Sequence, residues 1–413
     1  MGDPATVRAE PARPRLITPT FLLITLATFA YFLAVGALIP TLPRFIEGPL
    51  SGTSISVGIG VGAFAVSAVL MRPLIGSLGD RRGRRILMLG GAGLVAASVA
   101  GYALASSLWL LVVLRIATGA GEAAFYVGAA SGINDIAPDE RRGEALSYFS
   151  LALYSGLAAG PIIGETVLEG RGFDTTWLLA AAFAGLAALL TLRIPDTRPA
   201  LDDAPGPDGT RRFVHPAGLK PGTILASSIW GLAGFSAFVP LYALEIGMSG
   251  SRAVFFTYSA IVLGIRSFGA RIPDILGPRK AATSALACTA AGLAIIGMWA
   301  EPAGLFTGAV IFGIGQALLF PALMTIAIRG AKPSERGAVV GTFTAFFDLA
   351  FGLGSVSLGI VAAALGYRGL FLSAAGVAVG GLVLMQTYVQ RAKRDAGTED
   401  EEVEEARTPE RPY

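Results

Sequence analysis

Twelve long apolar runs constrain this chain more than anything else in it. They lie near residues 16–41, 54–79, 86–105, 107–133, 144–168, 174–193, 222–247, 252–272, 281–300, 303–329, 338–364 and 369–390. Each is close to the roughly 20 residues that an α-helix needs to cross a bilayer. In hydrocarbon, backbone N–H and C=O groups must be satisfied within a helix or a closed barrel. The runs lack the alternation of barrel strands. The pattern predicts an all-α membrane protein with twelve transmembrane helices. Only 15% of the 413 residues are charged, where soluble domains have about a quarter. The first run is too long for a signal-peptide core and has no small-residue cleavage site before the next run, so it is expected to remain as a span.

The sparse charges set an orientation. If both termini are cytoplasmic, the outer loops hold Arg44, Arg171, Arg252 and Arg368. Most other basic residues then gather on the cytoplasmic side, as the positive-inside rule requires. The net charge of +3 thus reads as topology and not as a nucleic-acid surface. Arginine greatly outnumbers lysine and Asn134 is the only asparagine, a bias that fits a GC-rich genome and points to a bacterial plasma membrane. Cys288 is the single cysteine, which excludes an intramolecular disulfide. His215 is the single histidine and falls in a polar stretch, where a solvated loop residue is the plainer expectation than a proton relay. No nucleophile–base pair or metal-ligand spacing appears. An enzyme is therefore not expected, nor is any cofactor beyond a proton used as coupling ion.

The chain is also two copies of one pattern. At a shift of 194 residues, Arg72, Asp80, Gly83 and Arg85 fall on Arg266, Asp274, Gly277 and Arg279. "GAGEA" (Gly119–Ala123) falls on "GIGQA" (Gly313–Ala317), and Arg142-Gly143 on Arg336-Gly337. Three separated matches at one offset indicate a duplicated six-helix unit, the arrangement from which transporters build a midplane site. The predicted organisation is a bundle over 1–193, a linker over 194–221 rich in Pro, Gly and charge, a second bundle over 222–394, and an acidic, disordered tail over 395–413.

Away from the ends of the runs, Arg72, Arg115, Glu122, Arg266 and Asp348 carry charge. Such groups face protein or a wet cavity and mark function. Arg115 and Glu122 lie two turns apart, on one helix face. Glu122 and Asp348 are both near mid-membrane. They are the candidate proton-coupling groups, with Arg115 able to tune Glu122. A buried ion pair that only holds helices together is the alternative.

The motifs resemble those of the major facilitator superfamily over nearly the whole chain. "GSLGDRRGRR" (Gly76–Arg85) is similar to its signature G-x-L-x-D-R-x-G-R-R, matched at Gly76, Leu78, Asp80, Arg81, Gly83, Arg84 and Arg85. "ARIPDILGPRK" (Ala270–Lys280) resembles the degenerate second copy. "PTLP" (Pro40–Pro43), "RIATGAGEAA" (Arg115–Ala124) and "GLAAGPIIGE" (Gly156–Glu165) resemble elements of its 12-span drug:proton antiporters, except that Glu165 replaces a final glycine. The resemblance implies two pseudo-symmetric six-helix bundles and a monomer. It implies a cytoplasmic gate in which Asp80 faces the start of helix 11 near Ala338, and Asp274 the start of helix 5 near Glu144. Arg81, Arg84 and Arg85 would bridge to Asp139 or Glu140. Gly156, Gly160, Pro161 and Gly164 form the antiporter motif, whose spacing of four places the small residues on one face for close packing.

The function expected on these grounds is export of a small organic molecule against proton entry, with a metabolite importer on the same fold as the alternative. Phe29, Phe32, Phe125, Tyr126, Trp230, Phe235, Phe238, Tyr242 and Phe346, with Gln316 as the neutral counterpart of Glu122, are the candidate cavity residues. Aromatic walls with few polar groups suit amphipathic ligands.

Overall fold

The computed structural model describes residues 16–138, 141–196, 214–269, 275–332 and 335–407; side chains at 72, 73, 76, 77, 80, 336, 337, 389 and 391–407 fall outside that description. Ten long helices follow one another: α1 (Pro19–Glu47), α2 (Ser54–Arg82), α3 (Arg84–Ala100), α4 (Leu108–Ile136), α5 (Arg142–Thr191), α6 (Pro216–Glu245), α7 (Arg252–Phe268), α8 (Pro278–Met298), α9 (Pro302–Arg329) and α10 (Arg336–Arg407). The 50 residues of α5 would make a rod of roughly 75 Å, far longer than the ~30 Å hydrocarbon core. It is two spans, meeting at Gly172 with φ 79° and ψ −179°. α10 breaks in the same way at Gly366, with φ 70° and ψ 178°. Ten helices thus make the twelve expected spans. The starts of α1, α3, α5, α6, α8 and α10 share one end of the molecule with the segment that joins α5 to α6. We call it the linker end, and the opposite one the far end.

The backbone carries the repeat more plainly than the side chains do. Gly83 and Gly277 have φ of +93° and +78°, and Gly172 and Gly366 have +79° and +70°. Both pairs are 194 residues apart. A positive φ of this kind is open to glycine and strained for other residues. Packing repeats too. A Cβ at Gly121 would meet the Gly91 carbonyl and Val95, and one at Gly315 would meet the Ala285 carbonyl and Thr289. Gly160 lies against Gly36, and Gly354 against Trp230; each of these partners again sits 194 residues from its counterpart.

Three expectations need correction. The second bundle starts earlier than residue 222, because α6 begins at Pro216. Proline is preorganised for a first helical turn, and His215 caps it by accepting the Ala217 N–H on Nδ1 at 3.2 Å. His215 is therefore not a solvated loop residue: it is buried, and its backbone N–H donates to Thr342 Oγ1 at 2.8 Å. The tail expected to be disordered is helical to Arg407, in keeping with the high helix propensity of its Glu-rich run. Residues 197–213 and 408–413 lie outside the described residues.

The antiporter-motif glycines press on α1 within the first bundle. A Cβ at Gly156, Gly160 or Gly164 would come within 2.5–2.8 Å of α1 backbone at Phe29, Gly36 or Ala37. The two bundles themselves meet at the far end. There Gly58 and Gly62 of α2 lie against Ser355 of α10, and Gly359 against the Ser54 carbonyl. The second far-end contact is polar. Glu165, from α5 and fully buried, accepts the Ser251 N–H at 2.9 Å and the Arg252 N–H at the start of α7. It also accepts Ser251 Oγ at 3.3 Å and Arg44 Nη1 at 3.1 Å. One turn on, Glu169 takes Arg252 Nη1 at 2.6 Å. Gly250 leaves room for the carboxylate, since a Cβ there would sit 2.7 Å from Glu165 Oε1. α7 has no cap from its own side chains, so a carboxylate of the other bundle satisfies its free amides and meets the positive end of its dipole.

Removing this cap should loosen the far end. In a Cys288→Ala, Leu38→Cys background, Glu165→Ala should speed labelling of residue 38 by a membrane-impermeant maleimide applied at the far end by about tenfold, as expected from losing charge-assisted bonds worth roughly 1.5–3 kcal/mol. Equal labelling rates would show that the contact does not hold that end shut.

Candidate functional site

Between the bundles lies a cavity of about 550 Å³. Its walls run from Leu38 and Leu42, near the far end of α1, to Ala130, Leu146 and Thr344, near the linker end of α4, α5 and α10. Both bundles line it, and most of the lining is apolar. Among the described residues, four acidic or basic side chains reach it: Arg115 and Glu122 from α4, Arg266 from α7 and Asp348 from α10.

Each has a different setting. Arg115 is buried. It donates through Nε to the Gly60 carbonyl and through Nη2 to the Val61 carbonyl, both at 3.0 Å. Its guanidinium lies 4.8 Å from the Phe64 ring centroid, a favourable cation–π arrangement. It therefore ties α4 to α2. Glu122, two turns further on, is half-buried and Asp348 is buried. Gln316, the counterpart of Glu122, donates to Ser228 Oγ at 2.8 Å and ties α9 to α6. Arg266 lies 4.2 Å over the Tyr154 ring of the other bundle.

Of the aromatic residues expected in the cavity, Phe32, Tyr126 and Phe235 line it, with Gln316. The others pack inside the bundles. Phe125 is fully buried and stacks on Tyr31 at 4.0 Å. Phe238 and Tyr242 are fully buried, and Tyr242 donates its hydroxyl to the Ile296 carbonyl at 3.0 Å. Trp230 lies against Gly354, Phe346 against Gly222, and Phe29 offers its backbone to Gly156. For Phe125, Trp230, Phe238, Tyr242 and Phe346 the ring packs against a neighbouring helix of the same bundle. Tyr154, Tyr258, Phe64 and Arg266 line the cavity instead. Of these, Arg266 was marked in the sequence as a charge inside an apolar run.

The signature turn joins α2 to α3 at the linker end. Arg84 Nε donates to Asp135 Oδ2 at 3.0 Å, and Arg85 Nη2 to the Leu192 carbonyl at 2.6 Å. A Cβ at Gly83 would collide with the Asp196 carboxylate. These arginines thus bind the turn to the ends of α4 and α5. Arg81 lies in the last turn of α2, and Gly277 and Arg279 at the start of α8. Gly76 belongs to α2. The Asp80 side chain, Asp274, and the expected partners Asp139 and Glu140 lie outside the described residues. Glu144, the expected neighbour of Asp274, is paired with Arg141 at 2.9 Å.

The model of the Major Facilitator Superfamily matches residues 24–300 and 254–412. The chain belongs to that superfamily. Curated relatives include an uncharacterised MFS-type transporter of Salmonella typhimurium, 28% identical, the match covering 90% of this chain and 97% of the relative. Another, from Burkholderia mallei, is 27% identical over 90% of this chain and 92% of its own. Among solved structures, a bacterial homologue of the human lysosomal transporter Spinster, inward-facing and occupied, superposes with a TM-score of 0.77 at 17% identity, covering 90% of this chain and 96% of that one. As a superfamily member the chain is a multi-pass membrane transporter, not an enzyme.

Arg115 should matter to folding as much as to transport. Arg115→Ala removes two charge-assisted hydrogen bonds to α2 and should destabilise the first bundle by about 3 kcal/mol. A thermal melt of the purified protein measures this. A midpoint within a degree of the parent would show that the α2–α4 contact stands without it.

Proposed function

We propose that this transporter exports small amphipathic organic molecules from the cytoplasm in exchange for protons, by alternating access. The observation that carries the reading is the central cavity: it lies between the two repeats, whose far ends are in contact through Ser355 and Glu165, and has two acids, Glu122 and Asp348, in its wall. A carboxyl group inside the membrane gains or loses its proton as its surroundings change. Rocking of the bundles changes those surroundings, so proton binding and substrate binding bias the same two states. The distribution of arginines supports a cytoplasmic linker end, with both termini on that side. On that orientation the end of the molecule opposite the Glu165 contact is the cytoplasmic one, the side from which an export substrate would load. The match of Gly156–Glu165 to the antiporter motif favours exchange over uptake. The protein is read as acting as a monomer, with no cofactor other than the proton. The signature turn is read as the linker-end gate, closing when the far end opens.

Two variants test the coupling. In inside-out vesicles holding a preset pH gradient, an export substrate should dissipate the gradient. Glu122→Gln or Asp348→Asn should abolish that response while leaving insertion intact. If both variants dissipate the gradient like the parent, the coupling assignment is wrong. If the parent itself accumulates substrate with the proton gradient instead of against it, the protein is an importer.

A further inference from the structure

Arg266 is the cavity's cation in search of an anion. Arg115 spends its donors on two carbonyls. Among the described residues, Arg266 has a buried Nε with no hydrogen-bond partner, and its recorded contact is the face of the Tyr154 ring. A guanidinium carries five donors and never deprotonates in a protein. Leaving one of these donors buried inside the membrane without an acceptor is costly, and one aromatic face recovers little of that cost. The surroundings offer hydroxyls, from Ser150, Tyr154, Ser236, Tyr258 and Ser259, in the same cavity wall. They sit among Leu153, Leu157, Phe235, Phe255 and Val262.

We infer that Arg266 is a substrate-binding residue that takes the anionic head of an amphipathic molecule, a carboxylate or sulfonate attached to an apolar, aromatic body. The flat guanidinium fork matches two oxygens of such a group. Tyr154 holds the guanidinium 4.2 Å from its ring centroid and offers it no acceptor oxygen there. The apolar wall takes the body of the ligand. Tyr154 belongs to α5 and Arg266 to α7, so an anion held here touches both bundles and reports on their separation. The inference rests on reading the cavity as the transport site. It does not depend on the direction of transport or on proton coupling.

The test is equilibrium binding in lipid nanodiscs, which is blind to direction and coupling. The probes are 8-anilinonaphthalene-1-sulfonate and its uncharged analogue N-phenyl-1-naphthylamine, which share an aromatic body and differ by the sulfonate. The parent should bind the anion more tightly than the neutral probe. Arg266→Gln should weaken the anion by about ten- to a hundredfold, the range of a charge-assisted hydrogen bond, and change the neutral probe by less than twofold. Arg266→Lys should restore much of the preference. In the unmutated protein, the sulfonate and not the neutral probe should protect Arg266 from phenylglyoxal, read by mass spectrometry, which keeps the test valid if Arg266→Gln misfolds. Equal loss of both probes, an unchanged anion affinity or equal protection by both probes would overturn the assignment and leave Arg266 as a partner for the acids of the cavity.

Discussion

Close approach of helix backbones is the constraint on which this structure depends. Lipid tails are as apolar as leucine, so two helices in a bilayer gain little by merely hiding apolar surface from each other. They must gain by packing, and that needs residues without bulk at the contact. Gly160 against Gly36 sets α5 on α1, Gly121 against Gly91 sets α4 on α3, and Gly58 against Ser355 sets α2 on α10. The first two contacts lie inside a bundle and the third lies between bundles. The same device therefore builds each rigid body and closes one body on the other. What distinguishes the far-end interface is its second contact, where Glu165 and Glu169 meet the start of α7. Glycine contacts separate without breaking a hydrogen bond. The charged cap does not, so much of the cost of opening that end falls on it.

Legibility in the sequence followed the physics of each feature. The spans were legible because hydrocarbon thickness sets one length scale for every helix. The duplication was legible where side chains repeat, as at Asp80 and Asp274 or Glu122 and Gln316. At Gly172 and Gly366 the glycine recurs at the same offset, but the positive φ that breaks each helix there is a backbone property the sequence does not display. The start of α6 was missed because His215, Pro216 and Lys220 are not apolar, although a capping side chain before proline is a helix signal. Cavity aromatics were harder still. Phe125 and Tyr126 are neighbours on α4, yet one is fully buried against Tyr31 and the other lines the cavity. A membrane helix is apolar on all sides, so its sequence alone does not tell which face meets a partner.

Glu165 shows the same limit from the other direction. It replaces the final glycine of the motif that Gly156–Glu165 resembles, and its chemical sense lies 86 residues away, at the Ser251 amide. A glycine there would leave the first amides of α7 without that acceptor and Arg44 without its carboxylate. The topology explains the rest. On the proposed orientation, arginines at the far end would run against the positive-inside rule, and three of the four expected there are tied down: Arg44 to Glu165, Arg252 to Glu169, and Arg368 to the carbonyls of Gly297 and Met298 at the end of α8. The two that meet carboxylates are neutralised where the bundles touch. The third completes a helix C-terminus, where a cation is favoured. The positive charge left at the far end is thus absorbed into the contacts that shape it, and the orientation signal comes from the arginines of the linker end.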